Sequence, residues 1–301
     1  MSKRFHAAVM SSVLFVSVFP AQAAKIGKDP WAAVTETPAE VLEKLANILE
    51  VRAANPQQKT MRDVYFKDIK IPTGTKIRVL EVGSGTGAVT RALATLPGVE
   101  SVVGLDPSPF FVKKAIQLNQ NQNVSFVVGD GLKLPYEDNS FDLIVFHTTL
   151  CHVLDPGLAL KEAFRVLRSG GWVAVFDGNY IKTKIGGDES GRLQTAADAA
   201  MAAYVTHRDL ISKLDSMVHT AGFEVKKKRT FRYEESGKNV EYMLSVATRG
   251  ADAMLDSGQI KAHEAEALKQ EANRLAKDGK FQGSIEYASF VAQKPSSKSV
   301  H

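Results

Sequence analysis

Residues 77–88, Ile-Arg-Val-Leu-Glu-Val-Gly-Ser-Gly-Thr-Gly-Ala, constrain the fold of this chain more than any other stretch. Val79, Leu80 and Val82 form a short apolar run suited to a strand buried on both faces of a parallel sheet. Gly83, Gly85 and Gly87 follow at once, and Val89, Leu93 and Leu96 then recur at helical spacing. The order is strand, glycine turn, helix. Such a turn lets the backbone approach a ligand closely, beside the free N–H groups of a helix start. Three readings fit the local pattern. One is a turn that only permits tight packing. Another is the dinucleotide fingerprint, since Gly83-x-Gly85-x-x-Ala88 satisfies it with Ala in third place. The third is a pocket for a cationic ligand. Glu81 favours the last, because a carboxylate at the strand's end repels a pyrophosphate and attracts an amino group.

Four further strand ends carry polar side chains at suggestive places. Val102, Val103 and Leu105 form a strand ending at Asp106, about 20 residues beyond the glycines, where an acid can accept from both ribose hydroxyls. Pro107 follows, and Ser108 can cap a helix running to about Asn119. Residues 124–128 form a third strand, followed by Gly129-Asp130-Gly131-Leu132. Residues 143–146 form a fourth, followed by His147 and His152, and residues 172–176 a fifth, followed by Asp177 and Tyr180.

The stretch Glu81-x-Gly83-x-Gly85-x-Gly87 resembles the first motif of the class I S-adenosylmethionine-dependent methyltransferases. Pro135-Tyr136-Glu137-Asp138-Asn139-Ser140-Phe141-Asp142 resembles the Leu-Pro-Phe-x-Asp-x-Ser-Phe-Asp segment of their type 11 branch. Leu150-Cys151-His152-Val153-Leu154-Asp155-Pro156 is similar to that branch's Leu-His-His-Leu-x-Asp-Pro segment, with Cys151 in place of one His. The likeness runs nearly unbroken from residue 77 to 176. It implies an α/β fold: a Rossmann-like, doubly wound, mostly parallel seven-stranded sheet, with N-terminal helices and a helical insertion before the last strand. It also implies S-adenosyl-L-methionine as cofactor. The methionyl end would lie at Glu81, Gly83, Ser84, Gly85, Thr86 and Gly87, with the ribose at Asp106 and Pro107. Adenine would lie at Asp130, Gly131 and Leu132, with His147 close by.

Methyl transfer from a sulfonium needs positioning more than a catalytic group, because the leaving group is already activated. A base is required only where the acceptor keeps its proton. His152 is the best candidate base, since an imidazole titrates near neutrality; the competing reading is a packing or capping histidine. Asp177, Tyr180, Tyr242 and Met243 are candidate substrate contacts. His147, Cys151 and His152 lack the spacing of a common zinc site, so no metal is expected. Two alternatives remain: an NAD(P)-dependent oxidoreductase, which Tyr180-x-x-x-Lys184 mimics weakly, and a non-catalytic binder of S-adenosylmethionine.

The expected organisation is an N-terminal helical element over residues 30–70, a cofactor-binding core over 71–180, a completion of the sheet with a helical cap over 181–294, and a tail over 295–301. Helices are expected at 38–52, capped by Thr37, and at 57–66. Residues 186–191 read as a loop, 195–204 and 207–220 as helices, 223–233 as a strand, 240–255 and 260–277 as inserted helices, and 281–292 as the closing strand. The first inserted helix, with Tyr242 and Met243, either roofs the substrate pocket or packs on the sheet.

Lys3 and Arg4, an apolar run from Ala7 to Phe19, and Ala21-Gln22-Ala23 match a secretory leader, making residues 1–23 a targeting segment and export the expectation. An organelle transit peptide or a cytoplasmic protein with a misassigned start are the alternatives. The apolar run is too short to span a membrane. Net charge is +5 and falls by two, to +3, without Lys3 and Arg4. The remaining charge is scattered, so a small-molecule acceptor is expected rather than nucleic acid. Cys151 is the single cysteine, so no internal disulfide can form.

Overall fold

The structure is a computed structural model that describes residues 29–296. The proposed leader, residues 1–23, and the end of the tail lie outside the described residues.

Five strands form the parallel part of the sheet. They are β1 (Ile77–Val82), β2 (Val99–Asp106), β3 (Val124–Val128), β4 (Phe141–His147) and β5 (Leu167–Gly186). β6 (Glu224–Ser236) and β7 (Gln282–Gln293) complete a seven-stranded sheet of order β3-β2-β1-β4-β5-β7-β6. β7 runs antiparallel to both β5 and β6. The sheet is therefore the Rossmann-like, doubly wound one that the sequence implied. Strand order reverses between β1 and β4, and the crevice at such a reversal is where open α/β sheets bind ligands. Val79, Leu80, Leu143, Ile144 and Val145 are wholly buried there, as strands covered on both faces require.

The helices are α1 (Ala39–Ala54), α2 (Pro56–Phe66), α3 (Ala88–Leu93), α4 (Pro109–Leu118), α5 (Pro156–Val166), α6 (Arg192–Tyr204), α7 (Leu210–Thr220), α8 (Tyr242–Asp256) and α9 (Ala262–Lys277). Asn55, Ser108 and Asp155 cap α2, α4 and α5 through their side chains, each followed by Pro at the first helical position. Thr37 does not cap α1: its hydroxyl donates to the carbonyls of Pro30 and Ala33 and closes the preceding turn instead.

Two regions depart from expectation. β5 is far longer than residues 172–176 and extends to Gly186, because β7 pairs along it beyond the parallel region. Asp177, Gly178 and Asn179 pair in register with Ala288, Tyr287 and Glu286, and the register breaks only beyond them, between Asn179 and Lys184. α8 and α9 are inserted between β6 and β7 as expected. α8 meets both alternatives: it packs on α6, α9 and β7, yet also touches α1 and sends Tyr242 and Arg249 to the cavity described below.

α1 packs against α2, α3, α4 and α8. Its Leu42, Leu45 and Ala46 join Val34 and Phe111 in a small apolar cluster of their own, with Trp31 against it. The N-terminal helices therefore cover the strand ends at the reversal point.

Candidate active site

A cavity of about 590 Å³ opens at the carboxyl ends of β1, β2 and β4. One end is built by the glycine turn. Gly83, Gly85 and Gly87 have φ of 74°, 52° and 79°, the left-handed region that side chains disfavour. Space is as limiting as conformation. A Cβ on Gly85 would lie 2.7 Å from Leu49 of α1, and one on Gly83 would lie 2.3 Å from Thr149 after β4. Gly85 donates its N–H to Asp106 Oδ2 at 2.8 Å, while Asp106 Oδ1 accepts from Ser108 N at 2.9 Å. The acid at the end of β2 thus ties the turn to the start of α4, with lone pairs to spare for a ligand.

Both acids of this end are buried. Burial, followed by the nearby Asp106 charge, pushes Glu81 up to about 8 against the opposing pull of the Thr90 hydroxyl, which donates to it. Burial also raises Asp106 to about 6, against the N–H groups of Ser108 and Gly85. Ser84 Oγ and Thr86 Oγ1 are buried in the same wall without hydrogen-bond partners. Unsatisfied buried hydroxyls are uncommon and mark a place where a polar ligand supplies the missing bonds. Further along, Asp130 holds its own turn by accepting from Leu132 N at 2.8 Å and lines the cavity together with Gly131, Leu132 and Pro107.

The chain bends sharply after β4. Thr148 has φ 52°, an unusual value for a β-branched residue. His147 on one side of the bend stacks on Phe176 at 4.7 Å and bonds the Tyr65 hydroxyl through Nδ1 at 2.9 Å. Burial, then the Arg52 and Arg62 charges, pushes it down to about 3, so it is neutral. Three residues past Thr149, His152 pairs through Nδ1 with Asp29 Oδ2 at 2.8 Å. Asp29 Oδ2 also accepts from the N–H and hydroxyl of Thr206, and its Oδ1 accepts from Trp31 N. Four bonds thus fix one carboxylate, which holds the imidazole of this cavity-lining His152 through Nδ1 and leaves Nε2 as the nitrogen for proton transfer.

Beyond His152 the cavity becomes an apolar and aromatic chamber. Trp31, Val34, Leu154, Met201, Val205 and Tyr242 line it, with Tyr180 and Arg52 at its inner wall. Most expected site residues therefore come together: Glu81, Gly83, Ser84, Gly85, Thr86, Asp106, Pro107, Asp130, Gly131, Leu132, His147, His152, Tyr180 and Tyr242 all line one cavity. Three do not. Gly87 forms the left-handed start of α3, against Phe126. Asp177 is buried beneath the site and accepts from the N–H groups of Cys151 and Gly178. Met243 is wholly buried against Gly283 of β7, with its N–H on Glu235. Tyr242 and Met243 are adjacent on a helix and cannot face the same way.

Asp29, Trp31, Arg52, Gln58 and Arg249 were not anticipated. Arg52 had a legible signal: it lies three residues beyond Leu49 and seven beyond Leu45, on the apolar face of α1. His147, Cys151 and His152 turn to separate partners, Tyr65, Tyr180 and Asp29. Among the described residues no group of three His, Cys, Asp or Glu side chains is placed to hold a metal.

A family model described as "Methyltransferase domain" matches residues 80–175. The chain is 34% identical over 155 residues to demethylmenaquinone methyltransferase of Staphylococcus aureus, covering 51% of this chain and 62% of that protein. It is 31% identical over 125 residues to cycloartenol-C-24-methyltransferase 1 of Oryza sativa subsp. japonica, covering 40% of this chain and 36% of that protein. It thus spans less than two thirds of either relative. Among solved structures, the [4+2]-cyclase SpnF aligns over 90% of this chain and 98% of its own, with a TM-score of 0.56 and 18% identity. That likeness concerns the fold alone, and a cyclase on the same scaffold illustrates why activity must be argued from the site.

Residues 80–175 match a methyltransferase domain, and the sheet around them has the Rossmann-like order described above. The sequence resemblance thus identified the family to which residues 80–175 belong.

Proposed function

We propose that the protein transfers a methyl group from S-adenosylmethionine to a small, largely apolar acceptor. One observation carries this reading: a single cavity joins the acid-lined glycine turn to the aromatic chamber at His152. The residues present fit the cofactor. Glu81 would hold its ammonium, the unpartnered Ser84 and Thr86 hydroxyls its polar groups, Asp106 its ribose and Asp130 its adenine amine. When bound, S-adenosylmethionine would supply an activated methyl group on a sulfonium.

The chain's own work is to bind, orient and deprotonate. α1 and the turn at residues 30–37 shield the cavity from water. His152 Nε2 accepts a proton from an acceptor that carries one, and Asp29 steadies the imidazole as it becomes charged. The two curated relatives are named for methylation of demethylmenaquinone and cycloartenol. An apolar chamber suits acceptors of that kind. Beside an ammonium Glu81 gains its charge, whereas beside a pyrophosphate it would have to keep its proton, which argues against a nicotinamide cofactor. Export of the mature protein, beginning near Ala24, is part of the proposal and rests on the leader pattern of residues 1–23.

Calorimetric titration tests the cofactor assignment. S-adenosylhomocysteine should bind and NAD should not. Asp106→Ala should weaken the former by about 1.5–3 kcal/mol, through loss of charge-assisted bonds to the ribose and of the bond to Gly85. Preferential binding of NAD would sink the assignment, and unchanged affinity in the variant would remove Asp106 from the site.

A further inference from the structure

α1 and α2 place two unpartnered donors in the inner wall of the cavity. Arg52 Nε is fully buried and has no hydrogen-bond partner. Gln58 is 6% exposed, and its Nε2 likewise has none. Both residues line the cavity. They are joined on one side by aromatic rings. The Arg52 guanidinium lies 5.2 Å from the centre of the Tyr242 ring, and the Tyr287 hydroxyl is approached by both Gln58 and Tyr242, without a well-formed bond from Gln58.

No acid answers this cation. The groups that act on Arg52 electrostatically are Tyr242, Tyr287, Tyr180 and Cys151, and it acts in turn on His147, all of them neutral at pH 7. Among the described residues Arg52 forms no ion pair, whereas neighbouring cations do: Arg62 with Asp63 and Arg91 with Glu50. A guanidinium cannot shed its charge to relieve burial. A buried cationic N–H without an acceptor is costly, and so is a buried amide donor without one. Both costs vanish if one ligand oxygen, or a pair of oxygens on one carbon, meets Arg52 and Gln58 together.

Two ligands could bring such an oxygen: the cofactor, through its own carboxylate, and the acceptor. Position favours the acceptor. Arg62 and Lys59 also line the cavity, and Arg62 acts with Glu81 on Tyr65, on the side of the glycine turn. Arg52 shares His147 with Arg62 but otherwise meets tyrosines of β5, β7 and α8, of which Tyr180 and Tyr242 line the same cavity as His152. Tyr180, which bonds Cys151 Sγ immediately before His152, ties that wall to the candidate base.

We infer that Arg52 and Gln58 form an oxyanion seat for the methyl acceptor, which therefore combines an apolar body with an acidic group. This rests on the proposed methyltransferase reading.

The test uses the full chain saturated with S-adenosylhomocysteine, with benzoate and benzamide as probes small enough to enter whatever the natural acceptor's shape. Benzoate should bind the complex about tenfold more tightly than benzamide, a preference that Arg52→Gln abolishes and Arg52→Lys keeps in part. Affinity of Arg52→Gln for S-adenosylhomocysteine should stay within about threefold of the parent's, which also reports that the variant is folded. Equal binding of the two probes to the parent complex overturns the seat, as does a benzoate preference that survives Arg52→Gln. A parallel loss of S-adenosylhomocysteine affinity in a variant with normal thermal unfolding would give Arg52 to the cofactor's carboxylate and overturn its assignment to the acceptor. Failure of the parent to bind S-adenosylhomocysteine at all would instead fail the methyltransferase reading.

Discussion

Glu81 holds a proton that a ligand can displace. Its pKa, raised to about 8 chiefly by burial, keeps it mostly neutral at pH 7 in the free protein. An ammonium placed beside it favours the charged form, so binding should release a proton near neutrality. Titrations with S-adenosylhomocysteine in buffers of different ionisation enthalpy read that proton directly, and affinity should climb as pH approaches 8. The same shift has a stability consequence. Between its ordinary value of 4.5 and about 8, Glu81 binds more proton in the folded than in the unfolded chain, and Asp106 does so up to about 6. The free protein should therefore lose stability as pH rises through that window, and the complex should lose less. A buffer-independent binding enthalpy together with a flat melting profile would remove the ammonium role from Glu81. These acids were legible because each closes an apolar strand at a set distance from the glycines, Glu81 just before them and Asp106 about 20 residues beyond. Gln58 and Asp29 were not, because their meaning comes from partners and vacancies that only tertiary packing creates.

Elements were legible in proportion to how local their causes are. α4 announced itself through Ser108, whereas Asn55 and Asp155 prove to start α2 and α5 in the same way, each before a Pro. β5 did not: Asp177-Gly178-Asn179 has turn composition, yet pairing with β7 carries the strand through it. α8 hid a different fact. Gly250 sits mid-helix where Ala would be the better helix former. A Cβ there would lie 1.8 Å from the carbonyl oxygen of Ala196, so glycine is what lets α8 cross α6. Gly250→Ala should destabilise the protein by about 1–3 kcal/mol, because backbone rather than a flexible side chain stands in the way. The shift in thermal midpoint measures it. A gain in stability, as helix propensity alone would give, would show that the two helices separate freely.

At the scale of the whole molecule, the α/β core was readable from residues 77–176 because its motifs are contiguous, while the arrangement over the crevice was not. Neither α1 nor α8 carries a motif, and each is amphipathic in a way that suits either a sheet or a lid. The structure brings them together over the strand ends, with Leu49 pressed on Gly85 and Tyr242 beneath Arg52. The cavity is thus floored by the middle of the chain and walled by both of its flanks.

The bond between Asp29 and His152 spans 123 positions. A chain whose first segment has not yet docked would already own its glycine turn, its acids and its adenine loop, and would lack only the finished base. On the proposed reading, cofactor loading and competence for turnover should therefore be separable, and the second should wait on the segment that carries Asp29. Asp29→Asn should bind S-adenosylhomocysteine as the parent does while methylating a proton-bearing acceptor about 10- to 100-fold more slowly. Deletion of residues 1–23 should alter neither quantity, since it stops short of Asp29. Equal loss of cofactor affinity and turnover in Asp29→Asn would mean that the two stages are one. If they are distinct, removal of a leader near Ala24 leaves the latch intact, and a cut only a few residues further on would yield a protein that holds its cofactor without spending it.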